Sequence, residues 1–457
     1  MTLPSPGPTQ PSAGSANISV VEDVTCLGCG CLCDDIALTV AGGRITEARN
    51  ACELGRRWFL ADRAKDGVHA ATIDGRVADR GEALDRAAEI LGRAKAPVVL
   101  GLTRTSTETV GVAVAIADRI GAVMGLGRAG EAILRTLAVQ RVGKVSASLG
   151  EVKNRADVVV FWGVDPVVTH PRHFERYSVE PRGRFVPQGR TGRTVMVADM
   201  ERTATSERAD FFLNLSPEGE YATLWTLRAL VRGVTLDADL VERTTGHPLA
   251  LLRDWAERWK NARYGAWFSG DRPGRARRSP AEYEAELLLV RDLNASTRFV
   301  ILSMGGPGNA AGAEAVLTWQ SGFASSVDYS RGYPRNAPGE SSAAEMLARG
   351  EADAALIVAD PVEDDLPEDA GAHLAGIPRI AIAPEATTWC PASVALACAT
   401  TGINAPGTVT RTDGVTLPLR PGLAASLPTD GELLRAILDR LKGAGGRPFL
   451  MADGEGT

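Results

Sequence analysis

The stretch DVVVFWGVDPVVTHPRH, Asp157 to His173, opens on an unbroken apolar run from Val158 to Trp162 and then turns polar. A run without polar alternation is what a strand buried on both faces of a parallel sheet requires. The loop after it leaves the strand's carboxyl end, where open α/β sheets bind their ligands. Six more runs share this character: PVVLGL (97–102), TVMVAD (194–199), YGAWFSG (264–270), RFVILSM (298–304), AALIVAD (354–360) and RIAIAP (379–384). Helical periodicity fills the gaps, over 81–94, 107–120, 129–140, 219–232, 248–260, 279–293, 309–321, 340–349 and 430–442. Strands alternating with helices imply doubly wound sheets. There are too many strands for one ordinary sheet. The predicted fold class is therefore α/β, with two Rossmann-like doubly wound subdomains, one inserted in the other.

Four loops leave these strands at their carboxyl ends: WGVDPVVTHPRH, ADMERTATSERAD, SMGGPGNAAGAE and VADPVEDD. Their Asp, Thr, Asn and Gly content suits a polar, phosphate-bearing ligand with hydroxyl groups. Taken singly, each reads equally well as an ordinary strand–helix turn.

Composition narrows the function. The net charge of −6 offers no basic face for nucleic acid. No apolar run reaches the roughly 18 residues of a membrane span. The best candidate, VGVAVAIADRIGAVMGLG, is broken by Asp118 and Arg119. The opening MTLPSPGPTQPSAGSANIS has no basic start and no apolar core, so it is read as a disordered tail rather than a signal peptide. The expected location is cytoplasmic, where disulfides are uncommon.

That expectation bears on TCLGCGCLCDD, Thr25 to Asp35, which holds Cys26, Cys29, Cys31 and Cys33; Cys52 follows in NACELG. Cys26, Cys29 and Cys33 lie on one tight loop, and Cys52 returns from a distance. A [4Fe–4S] cluster needs such an arrangement, because its four iron corners face different directions. Cys31 would be the spare. Gly28 and Gly30 would let the backbone fold closely round the sulfurs. Zinc is the competitor, since C-x2-C is also a zinc half-site, although a second half-site is missing. A cluster of thiols without metal is the third reading. Cys390 and Cys398, in TTWCPASVALACA, read as buried and inert. His170 and His173 form an H-x2-H pair that either holds a metal or makes polar contacts in a ligand loop. Arg331 and Arg335, in DYSRGYPRN, either clamp an anion or form structural ion pairs. The predicted organisation is a tail at 1–20, a [4Fe–4S]-type subdomain at 21–62, one Rossmann-like subdomain at 63–140 and 281–400, a second inserted at 141–280, and a C-terminal segment at 401–457.

Four segments together, CLGCGCLCDDI, NACELG, LGEVKNRADVVVFWGVDPVVTHPRHFERYS and VLTWQSGFASSVDYSRGYPR, resemble the B subunit of formylmethanofuran dehydrogenase, of the molybdopterin oxidoreductase superfamily. The resemblance runs from about Val21 to about Leu441. It implies a [4Fe–4S] subdomain on Cys26, Cys29, Cys33 and Cys52. It also implies two Rossmann-like subdomains that in the family hold a bis-pterin tungsten or molybdenum cofactor. ADMERTATSERADFFLNLSPEGE looks like the stretch that grips a guanine-dinucleotide arm of that cofactor, through Asp199, Arg202 and Thr203. GGPGNAAGAE, with Gly305, Gly308 and Asn309, looks like a second pterin-facing loop, and GTVTRTDG (407–414) like a late cofactor-contacting one. Arg331, His170 and His173 are catalytic candidates by the same resemblance.

One departure weighs heavily. The family's metal ligand is a cysteine or selenocysteine followed by histidine, placed after a strand resembling GAVM. The matching stretch here, GAVMGLGRAGEAI (121–133), has no Cys, His or Ser, and no cysteine lies between Cys52 and Cys390. A soft tungsten or molybdenum centre loses its protein thiolate. The bis-pterin metal is therefore expected to be absent, with its contact residues vestigial. The resemblance then points to the bacterial formyltransferase/hydrolase complex of one-carbon oxidisers. There, formyl groups pass from tetrahydromethanopterin to a methanofuran carrier and an amidohydrolase releases formate. The implied partners are an amidohydrolase (the A-like chain), a C-like chain and a formyltransferase. The expected role is structural. The alternative is an active tungsten or molybdenum enzyme interconverting carbon dioxide and formate.

Overall fold

The computed structural model describes residues 18–61, 69–126, 129–270, 279–337, 340, 342–360, 362, 366–386 and 392–443, the side chains of 129–133 excepted. Cys390 and residues 363–365 of the VADPVEDD loop lie outside them.

Strands β1 (Ile18–Val24), β2 (Ile36–Ala41) and β3 (Arg44–Arg49) make an antiparallel sheet beside the cysteine loop. The chain then lays down β4 (Ala71–Ile73), β5 (Arg76–Val77), β6 (Pro97–Gly101) and β7 (Val123–Met124). It leaves that sheet to build β8 (Val158–Trp162), β9 (Thr194–Asp199), β10 (Phe211–Asn214), β11 (Gly265–Ser269) and β12 (Phe299–Ser303). It returns with β13 (Val327–Asp328), β14 (Ala354–Val358), β15 (Arg379–Ala383) and β16 (Val394–Ala397). A hairpin of β17 (Gly407–Thr410) and β18 (Thr416–Leu419) follows.

Two layered sheets result. The first has the order β13-β7-β6-β14-β15-β16-β4-β5, parallel from β7 to β16 and antiparallel at both flanks. The second, β10-β9-β8-β11-β12, is parallel throughout. The seven strands expected from sequence all form, and β6, β8, β11, β14 and β15 are buried along their whole length. Helices cover the sheets. Several open on Ser or Asp caps, and Ser279 with Glu282 and Ser342 with Glu345 form reciprocal capping boxes.

The second layer extends past the boundary expected at 280. Helix Pro280–Leu293 places Leu289 and Leu293 in one core with Leu227, Trp259 and Trp267. It also packs on helix Ala129–Val142 and feeds β12 into the same sheet. Burial of its apolar face decides its layer, and sequence spacing could not show which sheet that face would meet. The core of this layer is aromatic: Trp162 stacks on Trp267 at 4.9 Å. None of the described helices is long and apolar enough to cross a membrane.

Candidate functional site

The cysteine loop begins where β1 ends. Its base is closed by Cys26 N–H donating to the Cys33 carbonyl at 2.8 Å and by Leu32 N–H donating to the Cys29 carbonyl. Leu32 takes a left-handed φ of 39° to make the turn. Cys52 stands at the start of helix Glu53–Leu60, which packs on β3. Cys26, Cys29, Cys33 and Cys52 border one cavity, with Gly28, Ile36, Ala51, Gly55 and Arg172 as its other walls. Cys31 is buried beside Cys29, its thiol bonded to that of Cys29, but does not line the cavity. Among the described residues, no three His, Cys, Asp or Glu side chains converge as ligands of a single ion. The four thiols ring a small space, a donor set that an iron–sulfur group or zinc would take.

Close approaches hold the loop. A Cβ on Gly28 would lie 3.1 Å from the Leu54 carbonyl oxygen, and one on Gly30 would lie 2.6 Å from that of Gly305. Burial pushes the Cys26 thiol well up, and the hydrogen bond with Cys29, together with burial, does the same to Cys31. Burial also raises Cys33, to about 11, against the pull of Arg176 and Arg172. Such thiols stay protonated at neutral pH until a metal displaces the proton.

The HPRHFERYS loop follows β8. His170 and His173 are both buried. His170 Nε2 lies 2.9 Å from the Gly305 carbonyl and Nδ1 2.9 Å from Thr169 Oγ1. His173 Nδ1 meets Ser178 Oγ at 2.8 Å, and its ring stands edge-on to Phe268 at 4.6 Å. Burial lowers His170 to about 4; burial and the neighbouring His170 lower His173 to about 3. Both imidazoles are thus neutral fixtures of the core. Arg172 donates twice to Asp35, at 2.7 and 2.8 Å, and to Glu175 at 2.6 Å. Arg176 pairs with Asp34 at 2.8 Å and also with Asp35. These arginines tie the cysteine loop to the second sheet.

The glycine-rich loop after β12 is a hub. Gly305 N–H donates to Thr412 Oγ1 at 3.3 Å, and Gly308 N–H to the Leu27 carbonyl at 3.1 Å. Asn309 is fully buried; its Nδ2 donates to the Thr105 carbonyl at 3.0 Å and its Oδ1 accepts from Thr410 N–H at 2.8 Å. Among its parallel strands each sheet reverses its order once, between β6 and β14 in the first and between β8 and β11 in the second. The loops after β6 and β8 both touch this hub, as does the cysteine loop.

The other expected contacts are distributed around it. Asp199 is buried at the end of β9, where its Oδ1 accepts from Met200 N–H. Thr203 and Ser206 bond each other's backbone amides, and Arg202 is exposed, stacked 4.9 Å over Phe212. Arg331 is exposed, and Arg335 is paired with Asp328. Sequence reasoning missed three carboxylates that lock the loops. Asp165 accepts from Thr205 N–H and Oγ1–H. Asp360 accepts from Thr103 and Arg104. Asp413, with no exposed surface, takes both arms of Arg411 at 2.8 Å and Leu149 N–H at 2.6 Å. The stretch 407–414 thus staples the protein to itself.

No family model matches the chain. It is 36% identical over 435 residues to the B subunit of tungsten-containing formylmethanofuran dehydrogenase 2 from Methanocaldococcus jannaschii, spanning 93% of this chain and 99% of that one. It is 28% identical over 296 residues to the B subunit of the formyltransferase/hydrolase complex Fhc of Methylorubrum extorquens, over 64% of this chain and 74% of that one. The crystal structure of the formyltransferase/hydrolase complex from Methylorubrum extorquens, in complex with methylofuran, contains a chain with the same fold. That match has a TM-score of 0.68 at 26% identity and covers 82% of this chain and 99% of that one. Acetylene hydratase from Pelobacter acetylenicus shares the fold alone, with a TM-score of 0.64 at 14% identity, over 92% of this chain and 69% of that one. With more than a third of its residues identical along nearly the whole of both chains, the chain belongs to the family of formylmethanofuran dehydrogenase B subunits.

Proposed function

We propose that the chain is the B subunit of a formyltransferase/hydrolase complex in the conversion of formaldehyde to formate. It holds an amidohydrolase, a C-like chain and a formyltransferase in place and performs no redox catalysis of its own. One observation carries this reading. GAVMGLGRAGEAI (121–133) has no Cys, His or Ser where the family has its thiolate. Residues 127 and 128 of it lie outside the described residues. The hydroxyl of Thr203 and the amide of Asn309 are already engaged within the protein, as suits a vestigial cofactor site.

The cavity ringed by Cys26, Cys29, Cys33 and Cys52 fits a [4Fe–4S] cluster, which when bound passes single electrons. Its retention favours the second reading, an active tungsten or molybdenum enzyme. Metal analysis of the complex, purified without air, separates the two. The expected result is neither tungsten nor molybdenum, with about four irons per chain. Tungsten or molybdenum at one per chain would overturn the scaffold. Cys52→Ser is expected to abolish the iron while sparing formyl hydrolysis by the assembled complex; lost turnover with assembly intact would speak against it.

A further inference from the structure

Among the described residues, the wall of the cysteine cavity contains one cation, and it comes from a different layer of the fold. Gly28, Ile36, Ala51 and Gly55 give the thiols an apolar surround. A thiolate-bound iron–sulfur group gathers negative charge there, where little water offsets it. Arg172 is the charged group facing this space. It lies on the loop after β8, two residues beyond the histidine that fixes Gly305.

The arginine's surroundings are asymmetric. Its side chain is 13% exposed, whereas its partners Asp35 and Glu175 are 38% and 51% exposed. The carboxylates sit toward water, where their charge is screened. The two-armed bond to Asp35 fixes the plane of the guanidinium, which lysine would not reproduce. Arg176, bonded to Asp34 and Asp35, reaches Cys33 with a hydrogen bond and the stronger pull of the two arginines, so Arg172 shares the counter-charge from inside the cavity wall.

We propose that Arg172 is the counter-charge of the iron–sulfur site and sets its reduction potential by stabilising the more negative, reduced state. This rests on the cluster reading above. Net charge and hydrogen bonding near the sulfurs are main determinants of such potentials. Arg172 is then a tuning residue and Asp35 its orienting partner. The two should act with opposite signs.

The test is a redox titration of the intact complex followed by electron paramagnetic resonance, with iron measured in parallel. Arg172→Gln is expected to lower the reduced-to-oxidised ratio at a fixed potential at least tenfold, equivalent to about 59 mV for one electron. Arg172→Lys keeps the charge and should recover most of that ratio. Asp35→Asn should shift it the other way. A wild-type potential in Arg172→Gln with iron retained overturns the proposal. If Arg172→Gln fails to hold iron, Asp35→Asn decides, since an unchanged potential there also overturns it. Wild-type complex without iron removes the cluster reading, and this inference with it.

Discussion

Replacing Asp413 by alanine is expected to destabilise the chain by about 3–5 kcal/mol, the cost of breaking a buried pair from one side. Asp413 has no exposed surface and Arg411 only 9%. Truncating the carboxylate leaves the guanidinium without its bonded counter-charge and the Leu149 amide without its acceptor. It also detaches the β17–β18 turn from helix Leu149–Arg155, at the join between the two layers. The measurement is the urea midpoint of the full chain. A double variant, Arg411→Met with Asp413→Leu, should recover much of the loss, because an apolar pair of similar volume is often neutral. A single-variant cost below about 1 kcal/mol would mean that the pair behaves as an exposed one. The same pair sets a pH dependence. Burial alone would raise the Asp413 carboxyl, but Arg411 and the Leu149 amide hold it below the ordinary range. Its contribution is therefore complete above the unfolded carboxylate pKa of about 3.9 and is lost as pH falls through the lower folded value. Asp413→Ala should flatten the acid limb of the stability curve.

Gly308→Val is expected to cost more than about 4 kcal/mol, in the range reserved for core disruption. Gly308 has φ 75°, and a Cβ there would lie 2.2 Å from the Thr103 carbonyl oxygen. The left-handed backbone costs roughly 1–2 kcal/mol by itself for a residue with a Cβ. The clash is with backbone, so no rotamer relieves it. Thr103 must move, and its carbonyl then releases Asn309 N–H, the bond that seats the hub on the first sheet. Gly306→Ala is the control: nothing lies within 4 Å of its Cβ position, and a change within about 0.5 kcal/mol is expected. Similar midpoints for the two variants would show that the loop tolerates displacement.

The central strands were legible because burial on both faces leaves an unmistakable composition, as in Val158–Trp162. The outer ones were not. In β1, ISVVEDV, most residues are exposed, so neither a continuous apolar run nor a clean alternation marks it. Short edge strands such as β5 and β13 owe their pairing to neighbours far away in sequence. The four cysteines picked by spacing border one cavity that Cys31 does not line, and three of them do so because a loop's reach is a local property. The histidines of HPRHFERYS stand out by their metal-like spacing, while nothing in the sequence sets Arg172 between them apart. Only tertiary packing turns that arginine toward the thiols and the imidazoles into the core. Asp165, Asp360 and Asp413 were invisible for the same reason: each acts on a partner from another strand or loop.

The pairing of β16 with β4, Leu396 against Ala71, has a consequence for synthesis. β8 to β12 follow one another without interruption and form a sheet from contiguous chain. That layer can mature while the ribosome is still extending the polypeptide, at about 5–20 residues per second. The first sheet cannot, because β14, β15 and β16 separate β6 from β4 and emerge only near the end. Its early strands must wait with apolar surfaces uncovered, because long-range pairings form late. The nascent protein is therefore most in need of chaperone protection through β6 and helix Thr107–Ile120, and the hub loop is the last crossing before that exposure ends.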